Sequence, residues 1–351
     1  MHSPARLRSW LALLLIAGMA AMGLTAAVPG TAFAAANDYI VAFQGPNGNL
    51  WYYLDQNGKA TDVDTHLVMA FFTRPAVAFT RSGYYVIAFE GAKDHLFLYY
   101  PPFKQHIDTR LTMAARTSPS IADNQTVAFT GSNGHVWTYL SSGHDTGLAT
   151  DLASAGPAIS VSDDAIAFES ANDRLYVYAT GSRHLTRTSL DMARDTSPSI
   201  GIYSSEVAFQ SNNNKLWWYD GSKGHSTGLD MAPETSPSID PYFYNSSSSE
   251  TIAFAAYNAS GNNRLWIYNA LNNRHVNTGL VMSPESSPCL GALLDSANFK
   301  IDNYRAWFAG RTHYLSYYNL NPKSSGRTGA VVDVNSDGVA YAPGVSSEVG
   351  G

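Results

Sequence analysis

The sequence predicts an all-β fold in which seven copies of a four-stranded antiparallel unit form a closed ring. An apolar-Ala-Phe element recurs seven times, at steps of 39 to 54 residues. Further short apolar elements follow each copy in a constant order, and no segment has a helical period over ten residues. Four strands per repeat of roughly 40 residues are typical of a β-propeller blade. We therefore predict a seven-bladed β-propeller.

Each repeat contains four elements, which we label strands A to D. Strand B is the apolar-Ala-Phe element, as in Val207-Ala208-Phe209, and strand C is a Leu-Trp-x-Tyr element, as in Leu216–Tyr219. Strand D is a Thr-Gly-Leu element, as in Thr227–Leu229. Strand A is a Thr-Ser-Pro-Ser-Ile element, intact at Thr117–Ile121, Thr196–Ile200 and Thr235–Ile239. All are short, rich in β-branched and aromatic residues, and bounded by turn-forming residues.

The two ends of the repeat region predict how the ring closes. The first copy begins at its strand B, at Val41-Ala42-Phe43, with no strand A before it. After the last strand D, the segment Gly338–Tyr341 is in step with the strand A position. We expect this segment to supply the innermost strand of the first blade, which leaves no open sheet edge.

One face of the ring is predicted to hold the binding residues. In an antiparallel meander the B–C turns and the D–A connections emerge on the same side, and here they carry amides, cations and hydroxyls beside aromatic strand ends. Such groups bind sugar hydroxyls, and an aromatic ring packs on the apolar face of a pyranose. The candidate ligand-binding residues are Asn49, His95, His135, Arg174, Lys215, Arg264, Trp51, Trp137, Trp217, Trp266, Thr117, Thr196 and Thr235.

Structural roles compete with binding at several of these positions. Asn-Gly and Asn-Asp sequences also occur because they form turns, and the four Trp also suit the core between blades. Catalytic signals are weak, because Glu90 and Glu169 fall in different blades and no nucleophile motif is present. The segment Asp333–Gly338 matches the first half of a calcium loop but lacks its final Glu, so we interpret it as a tight turn. We expect no metal or other cofactor.

The repeat resembles those of the seven-bladed PLL-like bacterial lectins and, more distantly, tectonin repeats. The resemblance rests on Val207–Gln210, Leu216–Tyr219, Thr227–Leu229 and Thr235–Ile239, and it extends over roughly residues 37 to 343. It implies several equivalent sites between neighbouring blades for fucose or related sugars. Repeats of that family often carry a basic residue directly after the strand B aromatic, where this chain has Gln44, Glu90, Thr130, Glu169, Gln210 and Ala255.

These observations favour a secreted, multivalent carbohydrate-binding protein that is not an enzyme. The alternatives are a protein-interaction scaffold for a secreted assembly and, less favoured, a polysaccharide-active enzyme whose acidic loops come from the insertions at 241–250 and 293–302. The expected partners are glycans and possibly another secreted protein. The formal net charge of −6, with no run of Lys or Arg, argues against nucleic acid.

The first 34 residues have the pattern of a secretory signal peptide. Arg6 and Arg8 precede an apolar stretch, and Ala32-Phe33-Ala34 provides a small-residue cleavage site. We therefore expect residues 35–351 to form one exported propeller domain that has no membrane span after cleavage. The single Cys, Cys289, excludes a disulfide scaffold.

Overall fold

The computed structural model describes residues 39–56, 58–151, 156–159, 165–201, 206–239, 251–257, 261–284, 286–295, 300–333 and 338–343. These residues form 28 strands in seven four-stranded sheets. The helical content of the described residues is two single 3₁₀ turns, Ala92–Asp94 and Pro101–Phe103. No helix within these ranges has the length and apolar character needed to cross a membrane.

Each sheet is one blade, and its strands run A, B, C, D from the centre outward. Blade 1 consists of β28 (Val339–Pro343), β1 (Tyr39–Gln44), β2 (Asn49–Gln56) and β3 (Lys59–Val68). Blade 2 consists of β4 (Ala76–Phe79), β5 (Tyr85–Glu90), β6 (His95–Tyr100) and β7 (Gln105–Thr112). Blade 3 consists of β8 (Ser120–Ile121), β9 (Val127–Thr130), β10 (His135–Tyr139) and β11 (Gly143–Ala149). Blade 4 consists of β12 (Ala158–Ile159), β13 (Ala165–Glu169), β14 (Arg174–Ala179) and β15 (His184–Asp191).

The remaining three blades follow the same order. Blade 5 consists of β16 (Ser199–Ile200), β17 (Val207–Gln210), β18 (Lys215–Tyr219) and β19 (Gly224–Asp230). Blade 6 consists of β20 (Ser238–Ile239), β21 (Thr251–Tyr257), β22 (Asn263–Asn269) and β23 (Arg274–Val281). Blade 7 consists of β24 (Cys289–Asp295), β25 (Lys300–Ala309), β26 (Tyr314–Leu320) and β27 (Lys323–Val331).

The predicted closure is confirmed. Strand β28, from the end of the chain, pairs antiparallel with β1, with Val339 opposite Phe43 and Tyr341 opposite Val41. Blade 1 therefore joins the two ends of the repeat region in one sheet. The protein is an all-β, seven-bladed propeller, as the repeat pattern predicts.

In the part of the chain that the structure describes, the core lies between the blades as seven apolar clusters. In strand B the larger side chains face the preceding blade and the Ala faces the following one. Ile87 and Phe89 of blade 2 pack against blade 1, whereas Ala88 packs against blade 3. Each blade thus places a bulky face against the small-residue face of its neighbour. This is why the apolar-Ala-Phe triplet recurs, and why its members are fully buried.

The interface between blades 7 and 1 departs from this rule. Trp307 occupies the Ala position of its blade and is 0% exposed, facing blade 1. Its ring lies 5.4 Å from that of Tyr39 and 5.2 Å from that of Tyr317, measured between centroids. The Arg305 guanidinium lies over the same group, 4.7 Å from the Tyr317 ring. The closing interface therefore has a bulky aromatic side chain where the other blades have a small one.

Serine hydroxyls join neighbouring blades around the central axis. The Ser118 Oγ accepts the Arg74 N–H at 2.8 Å, the Ser236 Oγ accepts the Ser197 N–H at 2.8 Å, and the Ser287 Oγ accepts the Ser236 N–H at 2.9 Å. All three hydroxyls belong to the first Ser of strand A elements. A strand A at the centre has no further strand of its own sheet to pair with, so the next blade satisfies its backbone.

The second Ser of the same element makes a parallel set of contacts. The Ser199 Oγ accepts the Ile239 N–H at 3.1 Å, and the Ser238 Oγ accepts the Leu290 N–H at 2.9 Å. Gly156 takes the place of the first Ser in blade 4, with φ of +127°. A Cβ there would lie 2.1 Å from the Ser118 carbonyl oxygen, so this position requires glycine.

We predict that Ser236→Ala lowers the free energy of unfolding by about 1–3 kcal/mol, because the buried Ser197 N–H loses its acceptor. The measurement is chemical denaturation followed by tryptophan fluorescence. Ser189→Ala, on the exposed side of β15, is the matched control and should cost much less. Equal effects of the two variants would contradict a stabilising role for the inter-blade serine contacts.

Candidate functional site

The B–C turns and the D–A connections lie together on one face of the ring. The Met113 N–H, just after β7, donates to the Asp94 carbonyl in the B–C turn of its own blade. The next residue, Ala114, donates to the Thr130 carbonyl at the end of strand B in blade 3. The same pair of contacts recurs at other interfaces. Each D–A connection therefore fixes the B–C turn of one blade against its neighbour.

The first residue of strand C contacts an aspartate on strand D of the same blade in five blades. Arg174 pairs with Asp191 at 3.4 Å and Lys215 pairs with Asp230. The other three pairs are Asn49 with Asp64, His95 with Asp108, and His135 with Asp145. The Gly147 N–H, the His135 ring and the Asn133 amide hold the pKa of Asp145 below its usual value. The predicted binding cations Arg174 and Lys215 thus have acidic partners within their own sheet.

The exposure of these pairs varies, and the Arg174–Asp191 pair is about half exposed on both sides. The side chains of Arg174 and Asp191 are 47% and 50% exposed, so the pair contributes little to stability, roughly 0–1 kcal/mol. Arg264 differs from both other cations. Its strand-D neighbour in register is Val281, and its Nε is buried with no hydrogen-bond partner in the ranges that the structure describes.

The predicted Trp residues are half-buried, each opposite a strand B aromatic. Trp51 lies opposite Phe43 and Trp137 opposite Phe129, and their indole N–H groups donate to Asn47 and Asn133 at 2.9 and 3.0 Å. Trp217 and Trp266 pack in the same way on Phe209 and Phe254. Glycine makes room for the ring, since a Cβ on Gly131 would lie 2.4 Å from Trp137. One face of each indole therefore packs on the core, and Trp137 also lines a cleft at the loop face.

The three predicted threonines serve the D–A connection. Thr117, Thr196 and Thr235 are 0% exposed. Their hydroxyls donate to the carbonyls of Ala114, Ala193 and Ala232 at 2.7 to 2.8 Å. A ligand on the loop face meets none of these hydroxyls in this arrangement. Their repetition follows from the turn that precedes strand A.

Two successive blade interfaces carry equivalent clefts at this face. The cleft between blades 2 and 3 has a volume of about 250 Å³, and Arg110, Asn133 and Trp137 line it above Phe129. The cleft between blades 3 and 4 has a volume of about 370 Å³ and is lined by Asn172, Tyr176 and Arg187 above Phe168. Of the predicted residues, Trp137 lies in these clefts.

Sequence reasoning missed the two arginines of these clefts. Arg110 follows the Thr of strand D in blade 2, and Arg187 precedes the Thr of strand D in blade 4. The Arg187 guanidinium lies 5.9 Å from the centre of the Tyr176 ring. Both lie next to the threonine of the repeated strand D element. A comparison of the residues beside that threonine from blade to blade could therefore have found them.

A third cleft, of about 460 Å³, lies over blades 4 and 5 and is more acidic. Asp173, Asp191, Asp195 and Glu234 line it together with Arg194. The Arg194 guanidinium donates to the Asp173 carboxylate at 3.2 Å. This cleft has no strand C aromatic in its lining, so its chemistry differs from that of the other two.

The residue directly after the strand B aromatic lies beneath the D–A connection and is fully buried. The Gln210 amide donates to the Ala232 carbonyl at 2.8 Å, and Gln44 donates to Ala70 at 3.3 Å. Glu90 and Glu169 occupy the same position without a hydrogen-bond partner for either carboxyl oxygen in the described ranges. Burial, reinforced by Asp94, raises the pKa of Glu90 to about 8.

Several predictions fall outside the described residues. They are the signal peptide at 1–34, the whole insertion at 241–250, residues 296–299 of the insertion at 293–302, and the central residues of the Asp333–Gly338 segment, 334–337. Asp333 itself is described, and its N–H donates to the Gln44 carbonyl at 2.7 Å.

Comparisons with known proteins find a likeness of fold. No family model matches the chain, and no curated protein matches it. A structure of TolB from Acinetobacter baumannii is 11% identical, with 88% of this chain and 67% of that chain covered at a TM-score of 0.47. A Mycobacterium tuberculosis puromycin-hydrolyzing peptidase is 11% identical, with 84% of this chain and 51% of that chain covered at a TM-score of 0.55. This chain thus spans about half the length of the peptidase, and the likeness concerns the fold alone.

The buried Glu90 carboxyl predicts a pH-dependent stability. Its pKa is about 8 in the folded protein against an ordinary 4.5, so the folded state holds a proton that the unfolded state has lost between these values. Stability therefore falls as pH rises from about 4.5 to 8. Glu90→Gln should remove this loss and be more stable than the parent protein at pH 9, by an amount on the order of a few kcal/mol.

The measurement is the free energy of unfolding at pH 5, 7 and 9. The gain from Glu90→Gln should grow across this series, whereas Glu234→Gln, an exposed control, should give a flat difference. A Glu90→Gln difference independent of pH would show that this carboxyl titrates normally.

Proposed function

We propose that this protein binds carbohydrates through the clefts between neighbouring blades. The observation that carries the proposal is the recurrence of one cleft at two successive interfaces. In each, a strand C aromatic lies on a buried Phe beside an Asn of the B–C turn, as Trp137 lies on Phe129 beside Asn133. Turn formation alone would explain the recurrence of the Asn, but it would not explain why an aromatic side chain recurs beside it.

The chemistry of the cleft supports a sugar ligand. Trp137 is held by packing on Phe129 and by its N–H bond to Asn133, so it offers a fixed apolar edge. Amide and guanidinium groups beside it supply donors in planar arrays, which suit neighbouring hydroxyls. The volumes of about 250 and 370 Å³ lie at the low end for small-molecule sites, which favours one or two sugar rings.

The blade 4 cleft supports the same ligand class with different residues. Tyr176 replaces Trp at the aromatic position and packs edge-on against Phe168. Arg187 comes from blade 4 itself, whereas Arg110 reaches its cleft from the preceding blade. The fucose-type specificity of the resembling lectins is a narrower possibility within this proposal. Several weak equivalent sites would raise avidity for a glycan-rich surface.

The proposal includes export and a role in binding rather than catalysis. The N-terminal pattern of two arginines, an apolar stretch and Ala32-Phe33-Ala34 supports secretion. A secreted propeller with repeated sugar sites would act on cell-surface glycans or polysaccharides.

The first test is a glycan array probed with the purified, labelled protein. We expect saturable binding to a related group of glycans. A blank array from a folded protein would contradict carbohydrate binding and favour the protein-interaction scaffold.

The second test assigns the sites by titration calorimetry with the best glycan from the array. The double variant Arg110→Ala/Arg187→Ala should lower the number of binding sites by two, because each change removes the guanidinium of one cleft. Arg183→Ala, an exposed arginine in the turn between β14 and β15 on the opposite face, is the control and should leave stoichiometry unchanged. Unchanged stoichiometry in the double variant would place the sugar sites elsewhere.

A further inference from the structure

Blade 4 carries an acidic cluster at its contact with the connection from blade 3. One carboxylate oxygen from each of Asp151, Glu169 and Asp173 lies within 4.8 Å of the others. Asp151 belongs to the connection after β11, Glu169 ends β13, and Asp173 lies in the turn before β14. Backbone contacts fix these elements, since the Asp151 N–H and the Thr150 hydroxyl both donate to the Glu169 carbonyl.

Glu169 is the buried member of the cluster, and its carboxyl group points to a bound ligand. It is 0% exposed, and neither carboxyl oxygen has a hydrogen-bond partner in the described part of the chain. An ionised carboxylate buried without a partner is costly unless a proton or a cation compensates it. Burial, followed by the charges of Asp151, Asp173 and Asp195, raises the pKa of Glu169 to about 8.

The neighbouring positive charge is insufficient for three carboxylates. Arg194 donates to Asp173 at 3.2 Å, and its side chain is 70% exposed. Its charge also acts on Asp151 and Glu169, so one mostly exposed cation faces three carboxylates. The interior side, where Glu169 lies, has no basic group bonded to it in the described residues.

Equivalent positions in other blades show that this cluster is not part of the common repeat. The residue whose N–H meets the end of strand B is Asp151 here, but it is Ala at four other interfaces: Ala70, Ala114, Ala193 and Ala232. The position of Glu169 holds Gln44 and Gln210 in blades 1 and 5, where the amide bonds to backbone carbonyls. Among the described residues, blade 4 alone brings three carboxylates together.

We propose that Asp151, Glu169 and Asp173 bind one divalent cation, with Ca²⁺ preferred. Three carboxylates without a nitrogen or sulfur donor form a hard, oxygen-only ligand set. Asp173 also lines the 460 Å³ cleft, which gives the ion a path from solvent and space for the waters that complete its coordination. Ca²⁺ tolerates such irregular geometry, whereas Mg²⁺ demands near-ideal octahedral ligands.

The repeat itself supplies the test variants. Asp151→Ala and Glu169→Gln each install the residue that the same position holds in other blades, so both are expected to fold. Glu90→Gln is the matched control, because it makes the same change at the same position of blade 2, outside the cluster. The proposal does not depend on the carbohydrate sites, and the two are measured separately.

The experiment is calorimetric titration of Ca²⁺ and of Mg²⁺ into the metal-stripped full protein, with thermal melting alongside. We expect one Ca²⁺ site, weaker binding of Mg²⁺, and a melting temperature that rises with Ca²⁺. Asp151→Ala and Glu169→Gln should each weaken Ca²⁺ binding by about tenfold or more. Glu90→Gln should leave it unchanged.

Three results would overturn the proposal. The first is the absence of both a binding heat and a change in melting temperature when about 5 mM Ca²⁺ or Mg²⁺ is added to the folded parent protein. This concentration exceeds the dissociation constants of the weakest extracellular calcium sites. The second is undiminished affinity in Asp151→Ala and Glu169→Gln, which would assign the ion to another place such as the Asp333–Gly338 segment. The third is an equal loss in Glu90→Gln, which would indicate a general effect of the change.

Discussion

Contact between unlike faces of neighbouring blades is the interaction on which this structure depends. The inner strands of each sheet are apolar on both faces, so each blade needs a neighbour on both sides to remove those faces from water. Phe89 fills the space that Ala42 leaves on the blade before it, and Ala88 leaves the space that Phe129 fills. The relation has a direction, from each blade to the next. It is satisfied at every interface only when the ring closes, which is why β28 returns to pair with β1.

The loop face follows from the same constraint. The D–A connections span from one blade to the next, and their backbone bonds hold the B–C turns in fixed positions. Clefts open wherever strand D of one blade and strand C of the next leave space above the buried Phe. Lining residues such as Arg110 and Arg187 can then vary without disturbing the ring, because the interface beneath them is already complete. At the contact of blades 3 and 4 the variation reaches a buried position, because Glu169 is fully buried there beside Asp151.

Most of the fold could be predicted from the sequence, because the same strand elements recur in a fixed order along the chain. The order of strands, the number of blades and the closing strand all follow from the positions of Phe43, Thr235–Ile239 and Gly338. Side-chain roles were harder to predict. The hydroxyl of Thr235 is used inside its own turn, and Lys215 has its partner on the adjacent strand. The acidic cluster joins residues of two blades, and only the register of β13 against the connection after β11 brings them together.

The aromatic interface of blade 7 with blade 1 affects assembly as well as stability. Seven near-identical joints would let blades of different chains substitute for one another, or let rings of another size close. Trp307 and Arg305 give the last joint a shape that the other interfaces lack, because the complementary surface around Tyr39 and Tyr53 belongs to blade 1. Because this interface differs from the other six, it favours pairing of blade 7 with blade 1 of the same chain and closure of the ring after seven blades.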